Sequence, residues 1–273
     1  MITIGMIVLN EEKYIGLNLA QHYDIVDKIV IVEGADKLYP KSNVTSDGLS
    51  SDATASIIKE FPDPEKKITF LQHGWTRRSG ANAKCELRNH YMELVGDGIL
   101  VAVDADEFYV RSELKAVIDR IQADKKNTAW RYPSMHYWKT TSCFITGGYY
   151  DVEHIRFWKV RANDRYVRNH NFPERNGRPL QDLGLVRNNR RVVSAGSGFT
   201  IAGPVCHHFG FCKSAEDIRD KNQYYRARGE AKTRPTTLSN REAWFSSNVP
   251  PKLVLHDFGG TLPDVFNVSA ITH

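Results

Sequence analysis

Long apolar runs are missing from this 273-residue chain, and a membrane-spanning helix needs about twenty consecutive apolar residues. Cysteine is sparse: Cys85, Cys143, Cys206 and Cys212 are scattered, with no Cys-x-x-Cys pair. That spacing argues against a thiolate zinc site, and a disulfide framework is not expected in a chain of this length. No basic leader with an apolar stretch and a small-residue cleavage site precedes the first strand-like run, so a cytoplasmic protein is expected. The sequons Asn43-Val-Thr and Asn267-Val-Ser carry little meaning without such a signal. Repeats and low-complexity tracts are absent too. What remains is an ordinary globular composition, 41% hydrophobic and 25% charged, neither disordered nor fibrous. The net charge of +5 suits an anionic partner, without choosing among a nucleotide diphosphate, nucleic acid and lipid headgroups.

The first half alternates strand and helix signals, the pattern of a mostly parallel sheet covered on both faces. Ile2 to Leu9 is an apolar, β-branched run. Asn10 follows as a helix cap, with Glu11 and Glu12 suited to a helix start. Lys28 to Val32 and Ile68 to Leu71 read as further strands. Ala83, Leu87, Tyr91 and Leu94 recur at helical spacing. Ile99 to Val103 is a fourth strand, and Leu114, Val117, Ile118 and Ile121 mark another helix, with Ser112 as its cap. The second half changes character. Trp130 to Arg161 is aromatic and β-branched, Tyr166 to Arg191 reads as an Arg-rich loop, and Glu216 to Arg228 as a helix. These shifts predict a first half over 1–110, an acceptor-side half of the same domain over 111–230, and a C-terminal extension over 231–273.

Chemistry concentrates at Val101-Ala-Val-Asp-Ala-Asp-Glu-Phe. A buried strand delivers Asp104 and Asp106 at its carboxyl end, where open α/β sheets bind ligands. Residues two apart on an extended backbone share a side, so both carboxylates can meet one ligand. Hard oxygen donors of this kind fit Mg²⁺ or Mn²⁺ held jointly with phosphates.

Taken in order, Ile7-Val-Leu-Asn-Glu-Glu, Val30-Ile-Val-Glu-Gly-Ala, Ser50-Ser-Asp-Ala-Thr, Gly80-Ala-Asn-Ala-Lys-Cys-Glu-Leu-Arg-Asn-His and the Asp-x-Asp strand resemble the nucleotide-binding half of family 2 glycosyltransferases. The resemblance covers roughly residues 1 to 110. It implies a Rossmann-like GT-A fold, a mostly parallel central sheet flanked by helices, with a mixed aromatic and Arg-rich C-terminal half. It also implies a metal-dependent, inverting, hexosyltransferase-like enzyme. The donor is a nucleotide sugar, expected to be UDP-linked, and the acceptor hydroxyl belongs to a glycan, a lipid-linked molecule or a small molecule. By resemblance, Asn10 and Glu11 contact base and ribose, and Glu33 holds the place of the base-reading acid. Lys84 and Arg88, four apart on one helix face, can meet the diphosphate. Asp104 lies near the ribose and, with Asp106, ligates the metal. The segment His207-His208-Phe209-Gly210-Phe211 is similar to a late His-aromatic-Gly-aromatic motif of such enzymes, which makes His208 a further metal ligand.

An inverting transferase needs a carboxylate to take the acceptor proton. Asp182, in a loop between two basic stretches, is the favoured base over Glu174, Asp151 and Glu153. Most of the aromatics from Trp130 to Trp158 read as core. Two other readings stand beside this one. A sugar nucleotidyltransferase would share the fold, but opens with a Gly-rich basic loop where this chain has Asn10-Glu-Glu. A binding protein without catalysis, for nucleotide or nucleic acid, would draw on the arginines between Arg161 and Arg191. Against a nucleic-acid partner, Asp104 and Asp106 would repel a phosphate backbone.

Overall fold

The structure, a computed structural model, describes residues 1–146, 154–187, 193–195, 198–200, 205–228 and 254–268. Asp151, Glu153, Arg190 and Arg191, and most of the expected C-terminal extension, lie outside them.

Sixteen strands and six helices are described. In chain order the first half holds β1 (Ile2–Val8), α1 (Ile15–His22), β2 (Lys28–Glu33), α2 (Thr54–Glu60), β3 (Ile68–Gln72), α3 (Ala81–Val95), β4 (Gly98–Ala102), β5 (Glu107–Phe108) and α4 (Arg111–Ala123). Next come β6 (Ala129–Tyr132), β7 (Ser134–Trp138), β8 (Cys143–Thr146), β9 (His154–Val160), β10 (Glu174–Arg175), β11 (Arg178–Pro179) and β12 (Leu185–Arg187). The hairpin of β13 (Val193–Ala195) and β14 (Gly198–Thr200), then β15 (Cys206–Phe211), α5 (Ala215–Ala227), β16 (Val254–Asp257) and α6 (Asp264–Val268) complete the set.

The central sheet has the order β12-β6-β9-β4-β1-β2-β3. Its pairs are parallel except those that β9 makes with β4 and β6, so the sheet is mostly parallel as expected. The period-two alternation of side chains sorts its residues between two layers. Ile4, Met6, Val8, Ile29, Ile31, Ile99 and Val101 pack under Ile15, Leu19, Ile58, Leu114 and Ile118 of α1, α2 and α4. Val30, Val32, Leu100 and Ala102 meet Leu87, Tyr91, Met92 and Val95 of α3 on the other face. Gly5 permits this contact, because a Cβ there would stand 2.8 Å from the Tyr91 ring.

A second sheet, β16-β8-β7-β15-β5, abuts the first. It buries Phe108, Met135, Tyr137, Phe144 and Phe209. Trp130, Tyr132, Tyr137, Trp138 and Trp158 are core residues as expected.

Several local expectations are corrected. Asn10 does not cap α1; it adopts φ 54° and ties down a loop, donating from its amide nitrogen to Asn43 O at 2.6 Å and accepting from Ser51 N at 3.0 Å. The residue at the amino end of α1 is Tyr14. Val110, not Ser112, precedes α4, with no side-chain cap. The stretch from Tyr166 is not all loop: it forms the β10–β11 hairpin and then β12, which joins the sheet edge parallel to β6. Helix α5 starts at a full capping box, Ser214 with Asp217, the signature of a helix amino terminus.

Candidate functional site

The chain runs outward through β1, β2 and β3, then returns to place β4 on the other side of β1. Strand order therefore reverses between β1 and β4, and the crevice at their carboxyl ends is where open α/β sheets bind ligands. A cavity of ≈ 380 Å³ lies there. Asn10 and Glu11 reach it from β1, Asp36 and Tyr39 from beyond β2, Lys84 and Arg88 from α3, and Asp104, Asp106 and Glu107 from beyond β4. His136, His154, Arg156, His208 and Lys213 complete its floor, and α5 contributes Asp217, Ile218, Asp220, Lys221, Asn222, Tyr224 and Tyr225.

The two central carboxylates have different surroundings. Asp104 accepts from Arg156 Nη2 at 3.1 Å and stands 3.7 Å from Arg88 Nη2. Burial alone would raise its carboxyl. The guanidiniums of Arg156 and Arg88 and the ammonium of Lys84 outweigh that and hold it well below the usual carboxylate range. Arg156 also binds Glu107, whose side chain is 1% exposed. Arg88 is anchored by donating to His170 O at 2.6 Å. Burial pushes the Lys84 ammonium down, and neighbouring Asp104 only partly restores it.

Asp106 is buried beside His208, with Oδ1 3.4 Å from Nε2, and Lys213 Nζ lies 3.6 Å from its Oδ2. Lys213 also donates to both oxygens of Glu11 at 2.7 Å. Burial opposes ionisation of Asp106, yet His208 and Lys213 prevail and keep it well below its ordinary value. His208 is oriented through Nδ1, 2.7 Å from Nδ1 of His136. Burial, then the neighbouring His208, holds His136 neutral. The backbone fixes the pair: Phe209 N donates to Asp106 O at 2.8 Å, and β5 pairs with β15. Gly210 lets the side chains meet, since a Cβ there would sit 2.7 Å from His208 Nε2 and 3.2 Å from Asp106 Oδ2.

Asn10, Glu11, Lys84, Arg88, Asp104, Asp106 and His208 thus come together as the sequence predicts. Glu33 and Asp182 do not. Glu33 is fully buried, accepting from Ser50 N at 3.0 Å and Gln72 Nε2 at 2.9 Å. It braces β2 against the loop behind it and is not on the cavity wall. The acid that reaches the wall is Asp36, three residues on, accepting from Gly80 N at 2.5 Å and from the Tyr224 hydroxyl at 2.9 Å. Asp182 sits in the short turn Leu180–Leu183 that leads into edge strand β12, and it does not line the cavity. Its turn lies at the amino ends of β6 and β12, at the edge of the sheet opposite the crevice.

Sequence reading overlooked Arg156, His136, Lys213 and the inner face of α5. Arg156 lies in a β9 segment read only as aromatic core, and α5 carried no chemical motif. Among the described residues of the Arg-rich stretch, Arg168 pairs with Glu174 at 3.0 Å and Arg175 with Asp164 at 2.8 Å, so these two shape their own loop.

No group of three or more His, Cys, Asp or Glu among the described residues has the spacing of a closed metal cage. Asp106 and His208 nevertheless suit Mn²⁺ or Mg²⁺, which take few protein donors and complete their shell with phosphates and water. Behind His208, the His136 ring nitrogen at 2.7 Å stands where a metal-binding histidine ordinarily meets a carboxylate, a carbonyl or water.

No family model matches the chain, and no curated protein matches its sequence. Among solved structures, a mannosyltransferase from Pyrobaculum calidifontis in complex with GDP-Man and Mn²⁺ is similar at 13% identity. The match covers 98% of this chain and 78% of that one, with a TM-score of 0.45. S. aureus TarS 1-349 in complex with UDP is similar at 12% identity, over 91% of this chain and 72% of that chain, TM-score 0.40. Another S. aureus TarS structure matches 52% of this chain at 16% identity and TM-score 0.35, and the chain spans only 24% of its length. No helix among the described residues is long and apolar enough to cross a membrane.

Proposed function

We propose that this chain is a glycosyltransferase of GT-A architecture that moves a sugar from a nucleotide-diphosphate sugar to a hydroxyl acceptor. The observation that carries this reading is one cavity, at the strand-order reversal, that gathers Asp104 and Asp106 with Lys84, Arg88 and Arg156. Carboxylates and cations side by side suit a metal–diphosphate ligand better than a bare phosphate backbone.

Mn²⁺ or Mg²⁺, held by Asp106 and His208, would supply Lewis-acid stabilisation of the departing diphosphate. Lys84 and Arg88 add fixed positive charge on the α3 side. Partial removal from water makes that charge more effective. Asp104, held ionised by two guanidiniums, would accept from ribose hydroxyls. Glu11, locked to Lys213, marks the end of β1 beside them. The acceptor proton needs a carboxylate on the cavity wall, a place that Asp182 does not occupy.

The test is thermal unfolding with UDP, GDP, CDP or TDP, each with Mn²⁺ or with EDTA, UDP being the first choice. Ligand at ~100-fold above its Kd adds about 2.7 kcal/mol, an upward shift of several degrees for a chain of this size. The expected result is one nucleotide that stabilises with Mn²⁺ and loses that effect in both EDTA and Asp106→Ala. Absence of any nucleotide-dependent shift would rule the reading out.

A further inference from the structure

Asn222 stands out on α5. It is 1% exposed, lines the cavity, and neither its Nδ2 nor its Oδ1 has a hydrogen-bond partner among the described residues. A buried amide with both ends unpaired is costly, and such groups in folded proteins ask for a partner the bare protein does not supply. Its position on the helix narrows what that partner is. Successive helical residues turn by about 100°, so Asn222 and Tyr224 face opposite ways, whereas Ile218 and Asn222, four apart, share a face. The Tyr224 side meets Tyr39, ring centroids 5.2 Å apart, and donates to Asp36 beyond β2. The Ile218 side packs with Trp138 and Phe211 of the second sheet. That is the sheet carrying His208, against Asp106.

Asn222 therefore faces the second sheet, the side of Asp106 and His208 on which a bound diphosphate would end, and is turned away from Tyr224. A carboxamide offers two donors and one acceptor. Neighbouring hydroxyls of a sugar ring, each able to donate and accept, match it. Building on the function proposed above, we propose that Asn222 reads the hydroxyls of the transferred sugar and so helps to set donor-sugar specificity.

The experiment uses the full chain, wild type and Asn222→Leu, with Mn²⁺. Calorimetry measures the Kd of UDP and GDP, and of UDP-glucose, UDP-N-acetylglucosamine and GDP-mannose. For the sugar nucleotide that wild type prefers, Asn222→Leu is expected to weaken binding about tenfold, the loss of a pair of hydrogen bonds. The parent nucleotide should bind as before. In the absence of ligand the variant's Tm should rise, because an apolar group of similar size replaces unpaired polar atoms. An equal loss on nucleotide and nucleotide sugar would overturn the inference, as would no loss on either, or a Tm that falls. If wild type binds none of these ligands and none of UDP, GDP, CDP and TDP shifts its unfolding with Mn²⁺, the transferase reading fails and this inference falls with it.

Discussion

Arg156 bridges two carboxylates of unequal exposure: Asp104, whose side chain is 40% exposed, and Glu107, at 1%. Removing the guanidinium strands Glu107 as a buried charge. Arg156→Met is expected to cost about 3–5 kcal/mol at neutral pH, read as a lower urea midpoint, because the penalty is that of an unpaired buried ion. Replacing both partners, Arg156→Met with Glu107→Gln, should recover most of the loss. If the double variant is as unstable as the single one, Arg156 serves the fold by packing and not by charge. The same scale shows what sequence could and could not disclose. Asp104 and Asp106 were legible because an apolar strand stops abruptly at them. Glu33 looked like their companion because it too ends a strand, yet Gly34 and Ala35 carry the chain past the sheet before an acid, Asp36, meets the cavity.

At the scale of elements, α5 depends on a local device. Ser214 Oγ accepts from Asp217 N at 3.1 Å, and Asp217 Oδ2 accepts in return from Ser214 N at 3.0 Å. Ser214→Ala should remove about 1 kcal/mol from the helix start. Hydrogen exchange is expected to quicken over Ala215–Ala227 while β1, β2 and β4 stay protected, and nucleotide affinity should weaken without any change to a lining residue. Unchanged exchange in α5 would mean that packing through Ile218, and not the cap, holds the helix in place. The βαβ half was readable because buried parallel strands and amphipathic helices keep their own periods over many residues. Helix α5 was readable in the second half too, but β10, β11 and β12 were not, because they are only two or three residues long. Their place is decided by long-range pairing, such as β12 with β6, which no local pattern encodes.

For the whole molecule, acid is the expected weakness. His22 is fully buried between Asn18 and Phe108, and burial lowers its pKa to about 4. His207 is likewise lowered to about 4 by burial. The unfolded chain, with histidine near its ordinary value of about 6.5, binds these protons first as pH falls. Stability is therefore complete above pH ~6.5 and declines toward pH ~4, at up to about 1.4 kcal/mol per pH unit for each such histidine. Urea midpoints at pH 7, 6 and 5 should show this slope, and His22→Gln should flatten it by about one proton. A slope unchanged in His22→Gln would mean that His22 is already charged in the native state. The backbone bond between Asp106 and Phe209 has a consequence for how the molecule comes into being. The strands β1 to β4 are all synthesised before residue 103, yet the partner that positions Asp106 arrives only with β15, and the roof only with α5. A growing chain thus holds a sheet-forming half long before it holds a binding site. If the proposed donor binds, it would protect the finished protein but not the chain still on the ribosome.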